Sequence, residues 1–264
     1  MSKIDRMVQI DAATKLVPGT EPVRGGNPGA KEAFLLLHGF TGFPAEMNTL
    51  GMALAELGFA YASPRYPGHG TNRADFSATR AEDWLRRALD SYLELRADYE
   101  AVHVLGYSMG GLIAALAATA FDAPKLVLLA PAFASAARGE GWVPLVAPFM
   151  PVRRQGRPND APDETRRLLF ADYYADDLVA GAAQLLRLRK AGRRALPRLR
   201  SKTFLLVGSE DTIVSPSVGD YVGKRARRAA AFESRILEGA KHSFVFDERA
   251  SETAIIVRDW VSRA

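Results

Sequence analysis

Residues 101–121 read AVHVLGYSMGGLIAALAATAF. The stretch opens on a short apolar run, 101–105, and closes on a longer one that begins at Leu112. Between them stand Gly106, Tyr107, Ser108, Met109, Gly110 and Gly111, a G-x-S-x-G spacing. A five-residue apolar run suits a strand buried on both faces, and the longer alanine- and leucine-rich run suits a helix. A serine on the sharp turn between them presents its hydroxyl at the helix N-terminus. Glycines two residues before and two after let neighbouring backbone pass closely. A small-residue turn with an ordinary serine has the same letters, but the strand before and the helix after are the context a nucleophile requires.

Similar runs lie on either side. AFLLL (33–37), FAYA (59–62), KLVLLA (125–130), TFLLVG (203–208) and a run near 232–237 read as strands. Helical spacing separates them. Residues 45–57 place Met47, Leu50, Leu54 and Leu57 on one face, and 83–97 place Trp84, Leu85, Ala88, Leu89, Tyr92 and Leu93 on another. Further helices are expected near 218–229 and 248–261. Strand–helix–strand repetition predicts an α/β fold with a mostly parallel, doubly wound sheet and right-handed crossovers. The alternation lapses after Ala130 and resumes at Thr203. The intervening stretch holds a Pro-bearing apolar segment (142–152) and helical patterns around 164–174 and 177–191. It reads as an inserted helical cap, 132–199, over a core formed by 1–131 and 200–264.

Composition narrows the chemistry. The 264 residues are 48% hydrophobic and 25% charged, and the 22 glycines follow no fixed period, which excludes a disordered or collagen-like chain. There is no cysteine, which removes disulfides, thiolate metal sites and cysteine nucleophiles. The four histidines, His38, His69, His103 and His242, show no H-E-x-x-H spacing, so no metal is expected. No phosphate-binding G-x-x-x-x-G-K-[ST] occurs, and 106–111 does not read G-x-G-x-x-G. The net charge of +5 concentrates in 187–200 and 224–228. These runs read as solvated helix faces. They lack interleaved aromatics, and no nucleic-acid partner is expected. The first twenty residues hold no apolar signal-peptide core, and the longest apolar run, 112–121, is about half a membrane span. A cytoplasmic protein without an integral membrane segment, monomer or homodimer, is the expectation.

A serine hydroxyl needs a base. His242, in GAKHSF (239–244), follows the last expected strand and lies after Ser108 in the order Ser…Asp…His. His103 sits inside a strand, and His38 and His69 lie in glycine-rich loops that they would fix by hydrogen bonds. Asp211, in GSEDTIV (208–214), stands just past a strand and is the favoured partner for the imidazole; Glu210 is its rival. Asp247 follows His242, breaks that order and reads as a helix cap. Two backbone N–H groups are needed for the developing oxyanion. Met109 follows the serine, and Phe40 lies in HGFTG (38–42) after the early strand.

These motifs resemble the α/β-hydrolase superfamily and, within it, small bacterial carboxylesterases and monoacylglycerol lipases. The resemblance is carried by LLLHGFTG (35–42), PRYPGHGT (64–71), Asp83-Trp84, GYSMGG (106–111), EDTIV (210–214) and Lys241-His242. It covers about 30–262, with the insertion matched only in position and length. It implies the α/β-hydrolase fold, Ser108 as nucleophile with His242 and Asp211, the amides of Phe40 and Met109 as oxyanion hole, and no cofactor. The expected substrate is a small-molecule ester or lipid: a short- to medium-chain ester or a monoacylglycerol. A lactone, peptide or carbon–carbon bond, or a non-catalytic binding role, is the alternative. Tyr107, Phe133, Trp142, Phe149, Met150 and Ile213 are the expected wall of an apolar acyl groove.

Overall fold

The computed structural model describes residues 14–135, 142–159, 161 and 163–264. Seven strands form one sheet: β1 (Val23–Gly26), β2 (Glu32–Leu37), β3 (Ala60–Ser63), β4 (Ala101–Tyr107), β5 (Lys125–Leu129), β6 (Lys202–Gly208) and β7 (Ala231–Leu237). Their spatial order is β1-β3-β2-β4-β5-β6-β7. All neighbours run parallel except β1, which pairs antiparallel with β3. The expected strands are therefore present. β1 is an addition: no strand is expected before Ala33, yet Val23–Gly26 pairs with β3 and Val17 N–H donates to Gly70 O at 2.9 Å. VRGG carries neither an apolar run nor alternation, so its pairing depends on the partner rather than on its own letters.

The central strands are hydrophobic throughout because both faces are covered. Phe34, Leu35, Leu36, Leu37, Val104, Leu105 and Leu126–Leu129 are fully buried or nearly so. The helices are α1 (Asn48–Glu56), α2 (Arg73–Ala78), α3 (Ala81–Asp98), α4 (Met109–Phe121), α5 (Val143–Val146), α6 (Glu164–Leu169), α7 (Val179–Ala195), α8 (Val218–Gly223) and α9 (Ala250–Arg263). α3 shows the periodic logic. Trp84, Ala88, Tyr92 and Leu95 face inward, Arg86 and Glu94 outward, and the Asp83 carboxylate accepts the Arg80 N–H at 2.8 Å at its start. Burying each such large apolar side chain contributes about 1.5–3 kcal/mol. α4 is buried on nearly every side, from Met109 to Ala118. No helix among the described residues is long and apolar enough to cross a membrane.

One helix falls short of its pattern. Residues 218–229 read as helical, but α8 ends at Gly223 and 224–229 turn back toward β7. Ala226 is the one buried side chain in Lys224–Arg228, too little apolar surface to hold another turn of helix. The arginine-rich end of the insertion also departs from a plain solvated face. Arg189 is buried and its Nε donates to Ala132 O at 2.6 Å, while Arg193 Nε donates to Phe133 O at 2.9 Å. Those guanidinium groups tie α7 to the chain leaving β5.

Candidate active site

Strand register brings the site together. Leu37 pairs with Gly106, Tyr107 with Leu129, and Gly208 with Leu237, so β2, β4, β5, β6 and β7 end along one edge. Ser108 leaves β4 at φ 52°, ψ −114°, a left-handed backbone that a residue with a Cβ adopts at a cost of about 1–3 kcal/mol. Its N–H donates to Leu129 O at 2.9 Å, and its carbonyl accepts the N–H groups of Gly111 and Ala132, each at 3.0 Å. The glycines are steric requirements. A Cβ on Gly106 would lie 2.2 Å from Gly110 O, and one on Gly110 would lie 2.0 Å from Leu37 O.

Ser108 Oγ lies 3.1 Å from His242 Nε2, and His242 Nδ1 lies 2.7 Å from Asp211 Oδ2. The other Asp211 oxygen accepts the N–H groups of Ile213 and Val214, each at 2.8 Å, so a fully buried carboxylate is held by its own turn. A carboxylate facing Nδ1 fixes the proton there and leaves the Nε2 lone pair toward Ser108. The exposed Glu210 takes no part in this pairing. Asp247 accepts from Ser243 Oγ at 2.7 Å and from Arg249 N–H at 2.8 Å, at the approach to α9.

The loop after β2 closes over the serine. Gly42 N–H donates to Gly39 O at 3.2 Å, Thr41 sits at φ 58°, and a Cβ on Gly39 would come within 3.6 Å of Ser108 Cβ. Phe40 N–H has no partner among the described residues. Met109 opens α4, where a helical N–H has no intrahelical acceptor. Phe40 lines a cavity together with Ser108, and Met109 is the residue that follows the serine. Beneath this loop lie two buried imidazoles. His38 Nδ1 approaches Gly39 O at 3.0 Å and His69 Nδ1 approaches Pro67 O at 3.2 Å. Burial pushes His38 down to about 3 and His69 well below its ordinary value, so both pack as neutral rings. His103 instead meets Glu32 Oε2 at 2.8 Å on the flank of the sheet.

Two cavities meet at the loop after β2. The smaller, about 120 Å³, opens on Ser108 and His242 and is walled by Gly39–Gly42, Glu46, Tyr107, Arg166, Tyr174 and Phe246. The larger, about 560 Å³, shares Phe40, Thr41 and Tyr174 with it and extends to Trp142, Val146 and Ala182. Trp142, Val146, Met150 and Leu178 give it an apolar wall, and Arg153 and Arg157, both paired with Asp177, stand at its charged end.

A family model described as the alpha/beta hydrolase family matches residues 34–255. The chain belongs to that family. A relative, the thermostable monoacylglycerol lipase of Bacillus sp. (strain H-257), is 30% identical over 213 residues, 78% of this chain and 80% of that protein. A carboxylesterase of Bacillus subtilis (strain 168) is 40% identical over 85 residues, 32% of this chain and 35% of its own length. Among solved structures, one from work on the metagenome-derived lipolytic enzymes LipS and LipT matches with a TM-score of 0.82 at 21% identity. It covers 95% of this chain and 100% of its own. The monoacylglycerol lipase of Paleococcus ferrophilus matches with a TM-score of 0.73 at 19% identity, covering 92% and 98%. At those identities the structural likeness speaks for the α/β-hydrolase fold.

On this α/β-hydrolase frame the six expected groove residues divide. Tyr107 lines the small cavity, and Trp142 and Met150 line the large one. Phe133 is fully buried against Gly192 of α7, where an added Cβ would lie 3.1 Å from its ring. Phe149 and Ile213 face outward, 90% and 56% exposed, and line neither cavity. Apolar letters alone do not separate a wall from a core or a surface. Glu46, Arg166, Tyr174 and Phe246 line the small cavity and carried no motif. A charged pair in a wall announces itself only through tertiary burial.

Proposed function

We propose that this α/β hydrolase is a carboxylic ester hydrolase working through an acyl-enzyme on Ser108. The observation that carries the reading is the unbroken relay from Ser108 Oγ through His242 to Asp211, at 3.1 and 2.7 Å. Ser108 Oγ attacks the ester carbonyl while His242 Nε2 takes its proton. The carbonyl oxygen becomes an oxyanion between the amides of Phe40 and Met109. Asp211 stabilises the imidazolium. His242 then returns the proton to the leaving alcohol, and water, activated by the same imidazole, releases the acid and restores the serine. The names of the Bacillus relatives, a monoacylglycerol lipase and a carboxylesterase, support an ester as substrate.

Residues 132–199 act as the cap in this reading, and the cavity of about 560 Å³ lined by Trp142, Met150 and Leu178 takes a short- to medium-length acyl chain or that of a monoacylglycerol. The test is a panel of aryl esters and monoacylglycerols of graded chain length, run beside Ser108→Ala. Removing the serine should lower kcat on the order of 10⁶-fold. Retention of more than a few per cent of the activity, or no labelling of the intact chain by an organophosphonate, would overturn the reading.

A further inference from the structure

The sheet ends on two unlike edges. β1 is four residues long and carries two glycines, whereas β7 is seven residues long and pairs on one side only, with β6. A long open edge offers a second strand a row of unpaired N–H and C=O groups, and native chains blunt it with Pro, lysines or a bulge. AFESRIL has no Pro and no Lys, and its register against β6 is unbroken. Its charges are Glu233 and Arg235, one of each sign. The end of the strand fixes which groups face out. Ser209 N–H donates to Leu237 O at 3.0 Å, so Leu237, Arg235 and Glu233 turn their main chain toward β6. Phe232, Ser234 and Ile236 turn theirs to the open edge. Among the described residues, no main-chain hydrogen bond outside the β6 ladder reaches these three. Ser234 and Arg235 are exposed, and so is Ile236, large and apolar yet 53% exposed.

We propose that β7 is a dimerisation edge on which a second copy of this chain docks, β7 against β7, antiparallel about a two-fold axis through Ser234. The strand is self-complementary in that register. Ser234 stands opposite Ser234, Phe232 opposite Ile236 and Glu233 opposite Arg235. Every outward N–H and C=O of 232, 234 and 236 then meets one from the other copy. The side-chain faces agree as well, since residues opposite one another share a face. On the face where Phe232 lies against Gly223 and Ser234 against Gly219, the exposed Ile236 of one copy covers the Phe232 ring of the other. On the opposite face Arg235 Nε donates to Glu233 of its own strand at 2.7 Å, and the second copy extends that pair into four charges of alternating sign. Beyond the strand, the same axis carries the exposed Glu238 of one copy toward the exposed Arg227 and Arg228 of the other. This order of charges selects a second copy over an unrelated strand, and a two-fold axis closes the assembly at two chains.

The experiment is sedimentation equilibrium of the full chain through the micromolar range, where the mass should move from that of one chain to that of two. Ser234→Pro removes an outward N–H at the axis, a change that an edge strand tolerates, and should leave a folded monomer at every concentration. Glu233→Arg and Arg235→Glu each set like charges opposite one another twice and should weaken Kd about tenfold or more. The double variant Glu233→Arg/Arg235→Glu restores opposite signs and should return to within about threefold of wild type. Circular dichroism verifies the fold of each variant, and the charge exchange decides the matter even where the proline variant does not fold. Wild type that stays monomeric throughout overturns the proposal. So does a folded Ser234→Pro that dimerises as tightly as wild type, since the contact then lies elsewhere. A double variant no tighter than either single one overturns the register about Ser234, and the proposal with it.

Discussion

The Tyr107 hydroxyl donates to the main-chain carbonyl of His242 at 3.0 Å. The residue immediately before the candidate nucleophile thus fastens the loop that carries the imidazole. Burial holds the phenol well above its ordinary pKa, so it remains a donor across the working range. Tyr107→Phe keeps the ring and removes the donor. Thermal melts should report a loss of about 1 kcal/mol, and steady-state kinetics a fall in kcat of about tenfold or less with KM little changed. Wild-type kcat in that variant would mean the loop is held by its packing alone.

Asp211 and Glu210 separate cleanly. Asp211→Asn should lower kcat on the order of 10⁴-fold, since the amide no longer fixes the imidazole tautomer. Glu210→Gln should leave esterase activity within about twofold, because that side chain faces solvent. Rates with one aryl ester decide the matter, and the reverse ranking would make Glu210 the partner.

Gly110 and Gly58 test two different demands on glycine. A Cβ on Gly110 meets the Leu37 carbonyl at 2.0 Å, whereas Gly58 has φ 89° and nothing within 4 Å of the added atom. Gly110→Ala should cost about 3 kcal/mol or more, through overpacking of fixed backbone. Gly58→Ala should cost only the local backbone penalty, about 1–2 kcal/mol. Urea denaturation midpoints compare them, and equal costs would contradict the steric account.

Glu46 gives the stability a pH dependence of known sign. Burial pushes its carboxyl from 4.5 up to about 7, with Arg166 pulling the other way. In that interval the folded chain holds a proton that the unfolded chain has released. The contribution is therefore fully present below about 4.5 and is lost as pH rises through about 7. Glu46→Gln has no such proton, so wild type should lose Tm relative to the variant between pH 5 and pH 8. Parallel Tm profiles would rule this out.

Much of this frame can be read from the letters because each piece carries its own local signal. AFLLL, KLVLLA and TFLLVG are buried on both faces and need no context to be recognised as strands. Ser108 and Asp211 each follow a buried run, His242 follows the largely exposed β7, and parallel register then brings the ends of these strands to one edge. The rest depends on neighbours that are distant in sequence. VRGG becomes a strand only against β3, and 224–229 leave the helix for want of a surface to pack on. Glu46 and Arg166 are 120 positions apart, and nothing in PAEM or TRRLL marks either as buried.

The backbone at Ser108 has one more consequence. Glycine is the natural occupant of a φ of 52°, so Ser108→Gly should melt later than wild type while doing no chemistry. A lineage filtered only for surviving heat would drift toward that silent form. Under the ester-hydrolase proposal, the chain carries its hydroxyl at position 108 at a standing thermal disadvantage.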